Sequence, residues 1–402
     1  MSGELTPLNS IGQPSVQRKR RVFWMHLILA ALSLYFFLCA INVMGAGLKS
    51  IGKETSWLAD AIAQGDNPLV ALMASVLVTS IVQSSSFTTS LIITLVAAGE
   101  LSTGTAVFAV MGANIGTSIT GLIVSLGTMR IKRQFRRAYA TALMHAIPNV
   151  LTVLMLFPIE WATSTTGPDG FTGGILTRTA RWITSFLDLG SGEKLFNPIK
   201  AITYPVVTAV KEAAGWISSD NATTAGIIVA AVGLAILFTA LICLVKNLKD
   251  ALLAKLEGLF TVLIFRNDFL AWISGIFSTV AVQSSSVTTS LMVPIAGAGA
   301  VKLRRVFPFM LGCNMGTTVT GVIAATANPT AGAVIVAISH VLFNLTDNVI
   351  WYPFRIIPIR LAKWYSSLAT QNRKYAFIFL ATIFLVIPVI ALIISELLFF
   401  SN

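Results

Sequence analysis

The sequence predicts an all-α polytopic membrane protein with two inverted repeats, each carrying a re-entrant helical hairpin. We expect about seven spanning helices besides the two hairpins. Three observations support this prediction: long apolar stretches, a polar motif that occurs twice, and basic loops that change sides between the two copies. The mean hydropathy is +0.81, 11% of the residues are charged, and several apolar stretches are long enough to span a bilayer as helices. These stretches are continuous and do not alternate, which excludes a membrane β-barrel.

The formal net charge of +12 is strongly positive and raises the question of a nucleic-acid partner. The Lys and Arg residues stand in short blocks beside apolar stretches, where such residues orient membrane helices and contact lipid headgroups. We therefore expect the lipid bilayer as a partner and no nucleic acid. The sequence leaves the oligomeric state open.

The apolar stretches and the loops divide the chain into six consecutive parts. They are a basic cytoplasmic N-terminal tail (residues 1–21), a first repeat (22–160) with a hairpin at 68–99, an extracytoplasmic loop (161–221), a second repeat (222–354) with a hairpin at 268–299, an interfacial segment (355–374) and an extra transmembrane helix (375–400). The apolar run after the tail is long enough to span a bilayer, so we expect a retained helix and not a cleaved export signal. The loop is polar and rich in Gly and Thr, whereas segment 355–374 is basic, aromatic and amphipathic.

A polar motif occurs twice at an offset of 200 residues. QSSSFTTS at 83–90 matches QSSSVTTS at 283–290, and GANIGTSITG at 112–121 matches GCNMGTTVTG at 312–321. Between residues 79 and 121, about eighteen of forty-three positions equal their partner, where chance gives roughly three. Small polar residues also help membrane helices to pack closely, but a duplicated polar cluster at membrane depth is typical of a transporter with a central binding site between two repeats.

The basic loops indicate that the two repeats have opposite orientations. A basic cluster at 130–137 follows the first GANIGTS segment, whereas the loop at 327–332 after the second copy carries no charge. Conversely, basic residues at 302–305 precede the second copy, and the equivalent stretch 102–105 has none. Because positive loops mark the cytoplasmic side, the same position faces inside in one copy and outside in the other.

The Gln-Ser segments are too short to be ordinary spanning helices. Residues 68–83 and 87–99, and likewise 268–283 and 287–299, form stretches of about 13 to 16 residues, against the roughly 20 that a span needs. We expect each pair to enter and leave on one side of the membrane, with the three serines near the tip. Irregular backbone at this depth is tolerated where it is buried in protein or lines a cavity.

Two such tips, entering from opposite faces, would meet near the bilayer midplane and form a binding site. Helix N-termini there favour an anion, helix C-termini and carbonyl groups favour a small hard cation, and hydroxyl groups serve both. Asn114 and Asn314, each in an N-x-G-T turn with Thr117 or Thr317, would add further oxygen ligands. No Lys or Arg lies inside either cluster, so a bound anion needs co-bound cations. The pattern therefore favours cation-coupled anion transport.

At these residues the sequence resembles the type II sodium-phosphate cotransporter family. The resemblance rests on the paired motifs above, on FRRAYATALMH at 135–145 and on HVLFNLTDNVIWYP at 340–353. It implies inverted repeats with hairpins, inorganic phosphate as the substrate, sodium as the coupling ion and no other cofactor. By that resemblance the following residues line the phosphate site: Gln83, Ser84, Ser85, Ser86, Gln283, Ser284, Ser285 and Ser286. The sodium ligands that it implies are Gln83, Ser86, Thr88, Thr89, Asn114, Thr117, Gln283, Ser286, Thr288, Thr289, Asn314 and Thr317.

The sequence departs from the animal members of this family, since its outer loop has no cysteine and one apolar helix follows Lys374. These departures suggest a prokaryotic protein in the plasma membrane, which in a bacterium is the inner membrane. A sodium-coupled transporter of another oxyanion or of a small carboxylate remains an alternative. An anion channel fits less well because no charge ring is visible. We do not expect an enzyme, because the sequence shows no carboxylate pair, metal set or nucleophile–base pair.

Three further residues have open roles. His145 and His340 occupy similar places in the two repeats, each followed four residues later by Asn. We expect them to tie neighbouring helices together, with a proton relay as the alternative. Glu100 follows the first hairpin and is either a carboxylate of the loop or a group that tunes cation binding.

Overall fold

A computed structural model describes residues 16–54, 67–167, 170–186, 198–219, 221–264, 266–327 and 329–400. Residues 1–15 of the predicted basic tail and residues 187–197 of the predicted outer loop lie outside these ranges. The described chain is helical apart from one two-stranded hairpin, which confirms the all-α class. Within the described ranges, seven apolar helical segments are long enough to cross a membrane: Arg21–Leu48, Thr103–Leu126, Lys132–Ala162, Ala222–Leu244, Leu303–Ala327, Ala331–Trp351 and Lys374–Ser395. The predicted number of spanning helices is therefore confirmed.

The first repeat consists of six helices. They are α1 (Val16–Glu54), α2 (Pro68–Val82), α3 (Ser85–Ala98), α4 (Thr103–Thr117), α5 (Ile119–Leu126) and α6 (Lys132–Ala162). The second repeat has α9 (Ala222–Ile264), α10 (Asp268–Val282), α11 (Ser285–Ala298), α12 (Leu303–Ala327) and α13 (Ala331–Trp351) in the corresponding places. The single helix α12 thus corresponds to α4 and α5 together.

Glycines bring the first helix of each hairpin against the helix that carries the second motif. A Cβ atom built on Gly112 of α4 would lie 2.1 Å from the Leu72 carbonyl oxygen of α2. In the other copy, a Cβ atom on Gly312 of α12 would lie 2.1 Å from the Trp272 carbonyl oxygen of α10. Neither position has room for a side chain, so the glycines that repeat in the sequence permit close helix packing.

The second helix of each hairpin packs against the other repeat. Helix α3 contacts α12 and α13, and helix α11 contacts α5 and α6. Helices α1 and α9, which open the two repeats, pack against each other along their length. This crossing of the two repeats carries both hairpin tips to the centre of the protein.

The connection between the repeats contains more regular structure than its composition predicts. Strands β1 (Thr166–Gly167) and β2 (Gly170–Phe171) pair antiparallel, and helices α7 (Ile175–Ser185) and α8 (Pro198–Ile217) follow. The buried carboxylate of Glu160 accepts hydrogen bonds from the backbone N–H groups of Gly174, Leu176 and Thr177 at 2.7–3.1 Å. It therefore satisfies the N-terminus of α7 and anchors the connection to the end of α6.

The C-terminal part begins with α14 (Ile356–Gln371), which lies within the predicted interfacial segment and packs against α6. Helix α15 (Lys374–Ala381), a π-helical turn (Thr382–Val386) and α16 (Ile387–Phe400) then form the extra span. Pro388 lacks an N–H group and its ring clashes with the carbonyl group of Phe384 one turn earlier, which accounts for the widened turn. Few of the described side chains of this span are buried, as expected of a helix that faces lipid.

Candidate functional site

The two hairpin tips have the same local structure. Gln83 and Gln283 adopt a left-handed conformation with φ of 56° and 55°, which ends α2 and α10. The hydroxyl groups of Ser84 and Ser284 then accept a hydrogen bond of 3.3 Å from the N–H group three residues later. Two residues thus reverse the chain, one as a helix C-cap and one as an N-cap.

This turn corrects the predicted boundaries of the second hairpin helices. We expected them to begin at Phe87 and Val287, whereas they begin at Ser85 and Ser285. The side chains of Ser84 and Ser284 cap the helices, so the two following serines belong to the first helical turn. The N–H groups of these serines have no partner within the helix and lie at the tip.

The tip of the first hairpin contacts the tip of the second directly. The hydroxyl group of Ser86 donates to the backbone oxygen of Gln283 and to the hydroxyl group of Thr320, both at 3.4 Å. Thr320 in turn donates to the side-chain oxygen of Gln283 at 3.1 Å. The structure therefore brings together the two polar clusters that lie 200 residues apart in the sequence.

A cavity of about 710 Å³ opens at this meeting point. Four of the predicted site residues line it, namely Gln83, Ser84, Ser284 and Ser286. The other lining residues are Val82, Phe87, Thr120, Val124, Phe238, Leu241, Ile242, Lys246, Asp250, Val287, Ser290 and Leu291. Sequence reasoning missed Thr120, Ser290, Lys246 and Asp250, although position 120 is Thr in both copies of the GANIGTS motif, a signal that could have found it.

Several hydroxyl groups at the tips have no partner among the described residues. The oxygen atoms of Ser285, Thr89, Thr120 and Ser290 are buried and make no hydrogen bond there. By contrast, Thr88 accepts from Thr79 at 2.9 Å, whereas Thr288 and Thr289 donate to the carbonyl groups of Ser284 and Ser285. An unpaired buried hydroxyl costs free energy, so the unpaired ones are available to a ligand.

The asparagines of the second motif lie inside helices and not in the turns that the sequence predicted. Asn114 and Thr117 are part of α4, and Asn314 and Thr317 are part of α12. The glycines of the N-x-G-T pattern serve close packing and do not unwind the helix at these positions. The side-chain amide of Asn114 and the hydroxyl group of Thr117 bond to backbone oxygens one turn back, at 2.9 Å each.

Asn314 belongs to a network that joins α12 to α6. Its side-chain oxygen lies 2.7 Å from Nε2 of His145, and its amide nitrogen donates to Asn149 at 2.9 Å. The expectation that this histidine ties neighbouring helices together is therefore confirmed. Both polar atoms of the Asn314 side chain are hydrogen-bonded in this arrangement.

The corresponding histidine and asparagine of the second repeat, His340 and Asn344, do not form such a network. Both ring nitrogens of His340 and the side-chain oxygen of Asn344 are buried and have no partner among the described residues. His340 lies beside Gly321 and Thr89. A Cβ atom built on Gly321 would be 3.4 Å from Nδ1 of His340 and 3.4 Å from Cγ2 of Thr89. The expected tie between helices is not made at this histidine.

Glu100 lies after α3 and outside the cavity, and its side chain makes no hydrogen bond within the described part of the chain. Partial burial raises the pKa of its carboxyl group above the usual value. No group of three or more His, Cys, Asp or Glu side chains that could hold a metal occurs among the described residues. A small hard cation at the tips would therefore be held by hydroxyl, amide and carbonyl oxygens.

Comparison with known proteins identifies relatives along most of the chain. The family model described as Na+/Pi-cotransporter matches residues 36–164 and 236–391, which include both hairpins. Sodium-dependent phosphate transport protein 2A of Rattus norvegicus is 31% identical over 428 aligned residues, which cover 88% of this chain and 65% of the rat protein. The protein of the same name from Ovis aries is 32% identical over 93% of this chain and 68% of its own length.

Sodium-dependent phosphate transport protein 2B of Bos taurus is 30% identical and covers 90% of this chain and 64% of its own length. The chain thus spans about two thirds of the length of these relatives. No solved structure matches the chain. The family model covers both repeats and both copies of the motif that form the tips, so the chain belongs to the Na+/Pi-cotransporter family.

Proposed function

We propose that the chain is a secondary active transporter that imports inorganic phosphate together with sodium. In this proposal both ions bind at the two QSSS hairpin tips, near the bilayer midplane. The observation that carries it is the contact of Ser86 with Gln283 beside a cavity that both tips line. Membership of the family and the names of the relatives support phosphate and sodium as the transported ions.

The N-termini of α3 and α11 provide the affinity for an anion. Each presents unpaired backbone N–H groups and the positive end of a helix dipole towards the tip. Serine hydroxyl groups beside them can donate to phosphate oxygens or direct their lone pairs towards a cation. The same few residues are therefore able to hold the anion and the cation side by side.

Charge balance sets a minimum for the number of cations. The hairpins carry no basic side chain, and in the cavity Lys246 is accompanied by Asp250, so the two charges offset each other. The two negative charges of HPO₄²⁻ would remain unbalanced in the membrane at a large cost. We therefore propose that at least two sodium ions accompany each phosphate.

The inverted repeats suggest alternating access around a fixed site. In this mechanism one repeat moves against the other, and the cavity beside the tips opens to one side of the membrane at a time. We further propose a location in the plasma membrane, with the N-terminus in the cytoplasm, because the basic loops fit that orientation. The protein moves its substrate without changing it and is not an enzyme.

Uptake of labelled phosphate into proteoliposomes tests the function. We expect uptake with an inward sodium gradient and none when potassium or choline replaces sodium. Excess sulfate or succinate should leave uptake unchanged, whereas strong competition would indicate another oxyanion or a small carboxylate as the substrate. Equal uptake in sodium and potassium would contradict sodium coupling.

Substitution of the central serines tests the site. We expect Ser85→Ala and Ser285→Ala to weaken phosphate and sodium affinity by about 1–3 kcal/mol, the cost of one lost hydrogen bond in a buried site. Because the hydroxyl group of Ser285 has no partner among the described residues, its loss should not lower the unfolding midpoint. Ser339→Ala is the matched control, since its hydroxyl is also buried and unpaired but belongs to α13 and not to a hairpin tip. Normal affinities for both ions in Ser85→Ala and Ser285→Ala would remove these serines from the site.

A further inference from the structure

A second cavity, of about 250 Å³, lies between the N-terminal turns of α6 and α12 and the middle of α14. It is separate from the cavity at the hairpin tips and shares no lining residue with it. The residues that line it are Arg133, Arg136, Arg137, Ala140, Leu303, Lys363 and Ser366. We call it the basic cavity, because four of these seven residues are cationic and none is acidic.

None of the four cations has an acidic partner among the described residues. The side chains of Arg133, Arg136 and Lys363 form no ion pair or hydrogen bond among the described residues. The ion pairs of that part of the chain join Asp268 to Arg305 and Arg355. The guanidinium group of Arg137, in contrast, donates hydrogen bonds to the backbone oxygens of Ala296 and Val301 at 2.9 Å each. Several cations around one small cavity repel one another unless an anion lies between them.

The backbone adds to the positive potential of the basic cavity. Helix α6 begins at Lys132, one residue before the lining residue Arg133, and its N-cap residue Ile131 makes no side-chain capping bond. The first N–H groups of α6 therefore remain available at the positive end of the helix dipole. Guanidinium groups at a helix N-terminus form the usual surroundings of a phosphate group in proteins.

The apolar side chains of α14 suggest the depth of this cavity in the membrane. Trp364, Leu361 and Ile357 of this helix are exposed, and Lys363 stands next to the exposed Trp364. An amphipathic helix with exposed tryptophan and aliphatic residues beside cations lies in the interface, at the height of the lipid headgroups. Anionic lipids are enriched in the cytoplasmic leaflet, where basic loops concentrate.

We propose that the basic cavity binds a phosphoryl group, either from the headgroup of an anionic phospholipid or from free inorganic phosphate. The anion would lie between Arg133 and Arg136 of α6 and Lys363 of α14, so it would connect these two helices. Arg137 extends the connection from α6 to the end of α11, the second hairpin. Occupancy of the basic cavity therefore stabilises the contact between the second hairpin and the first repeat. This proposal does not depend on what the protein transports.

Thermal unfolding of the purified full chain in neutral detergent tests the proposal. The medium contains potassium and no sodium, at constant ionic strength, so that sodium-dependent binding at the tips does not contribute. Short-chain phosphatidylglycerol, short-chain phosphatidylcholine and inorganic phosphate are titrated separately. We expect phosphatidylglycerol or inorganic phosphate to raise the unfolding midpoint of the wild type, and phosphatidylcholine to leave it unchanged. The probe that acts at the lower concentration identifies the source of the phosphoryl group.

Variants connect the effect to the cavity. Arg133→Gln, Arg136→Gln and Lys363→Gln should each weaken binding roughly fivefold, as expected for one cation near the membrane surface. Lys132→Gln and Arg360→Gln are the matched controls on the same two helices, since neither residue lines the cavity, and they should bind as the wild type does. All five side chains are exposed, so the unfolding midpoint without a ligand should stay close to that of the wild type. No shift with either probe, or a shift that Lys363→Gln and Arg360→Gln share equally, would overturn the proposal.

Discussion

The two copies of the repeated motif share their backbone turn but differ in their hydrogen bonds. In the second copy, the side chain of Gln283 accepts from Thr320 and donates to the Val280 carbonyl group at 2.7 Å. In the first copy, the side chain of Gln83 is exposed and makes no hydrogen bond among the described residues. The same eight-residue pattern thus gives one tip whose amide is fixed by the protein and one tip whose amide faces the cavity.

The histidines repeat this contrast. His145 joins α6 to Asn314 of α12, and Asn149 completes the network. His340 occupies the equivalent place in the other repeat, yet its nitrogens have no partner in the described structure, and Asn114 bonds back to its own helix. The helix that carries the motif also differs, since α4 ends at Thr117 while α12 continues through the equivalent position.

These differences indicate that the asymmetry lies in the arrangement and not in the sequence. Each partner needed for the closed network is present in both repeats, namely one histidine and two asparagines. The alternating access proposed above requires that the two repeats be unequal whenever the site faces one side of the membrane. We call the hydrogen-bonded set around His145 the closed network and the unpaired set around His340 the open network. The difference between the two copies can be tested in their orientation, their tips and their histidines.

The largest expected effect concerns the orientation of the two copies. A cysteine is introduced at Ser102 or at Lys302, the equivalent residues just before α4 and α12, in a chain in which Cys39, Cys243 and Cys313 have been replaced. An impermeant thiol reagent should label the first position only from outside and the second only from inside. The reason is that the loop before α12 is basic whereas the equivalent loop before α4 has no basic residue. Labelling of both positions from the same side would mean parallel repeats.

The next effect separates the two tips. Gln283→Ala should lower both the unfolding midpoint and phosphate uptake, because it leaves the hydroxyl group of Thr320 without its acceptor at a cost of about 1–3 kcal/mol. Gln83→Ala should lower uptake while the midpoint stays unchanged, because its amide makes no bond with the described protein. Thr320→Val, which removes the donor but keeps the shape, is the control for the first variant and should reproduce its midpoint. Equal unfolding midpoints for the two Gln variants would contradict the proposed difference, namely that the protein fixes the amide of Gln283 and not that of Gln83.

Much of the fold follows from the sequence because its causes are local. Apolar length predicts the spanning helices, and the repeated motif predicts two short hairpins that the structure shows as helix pairs joined by Gln83–Ser84 and Gln283–Ser284. Composition marked the connection between the repeats as a polar segment but did not indicate the two helices and the strand pair that it contains. The backbone there is organised by Glu160, a single carboxylate whose partners are N–H groups more than ten residues away.

Part of the cavity lining was predictable from the sequence, and part was not. The Gln and Ser residues of the motif are conspicuous because the chain around them is apolar. Lys246 and Asp250 of α9, in contrast, reach the cavity only through the packing of that helix. Asn114 and Asn314 were expected to lie in turns, because the two glycines near each of them suggested that the helix unwinds there. The structure instead uses Gly116 and Gly316 to admit the Thr79 and Thr279 side chains of the hairpins. Which copy forms the closed network cannot be inferred from the sequence, because one histidine and two asparagines occur in each repeat.

The smallest expected effect measures the closed network against the open one. His145→Leu removes the partner of Asn314 and should lower the unfolding midpoint by the equivalent of about 1–3 kcal/mol. His340→Leu breaks no hydrogen bond among the described residues and makes the same change in volume, so we expect its midpoint to equal or exceed that of the wild type. A double-mutant cycle of His145→Leu with Asn314→Ala isolates the pair, and a coupling of at least about 0.6 kcal/mol is expected for a hydrogen bond between membrane helices. Equal destabilisation by the two histidine variants would show that the two networks are the same in the membrane.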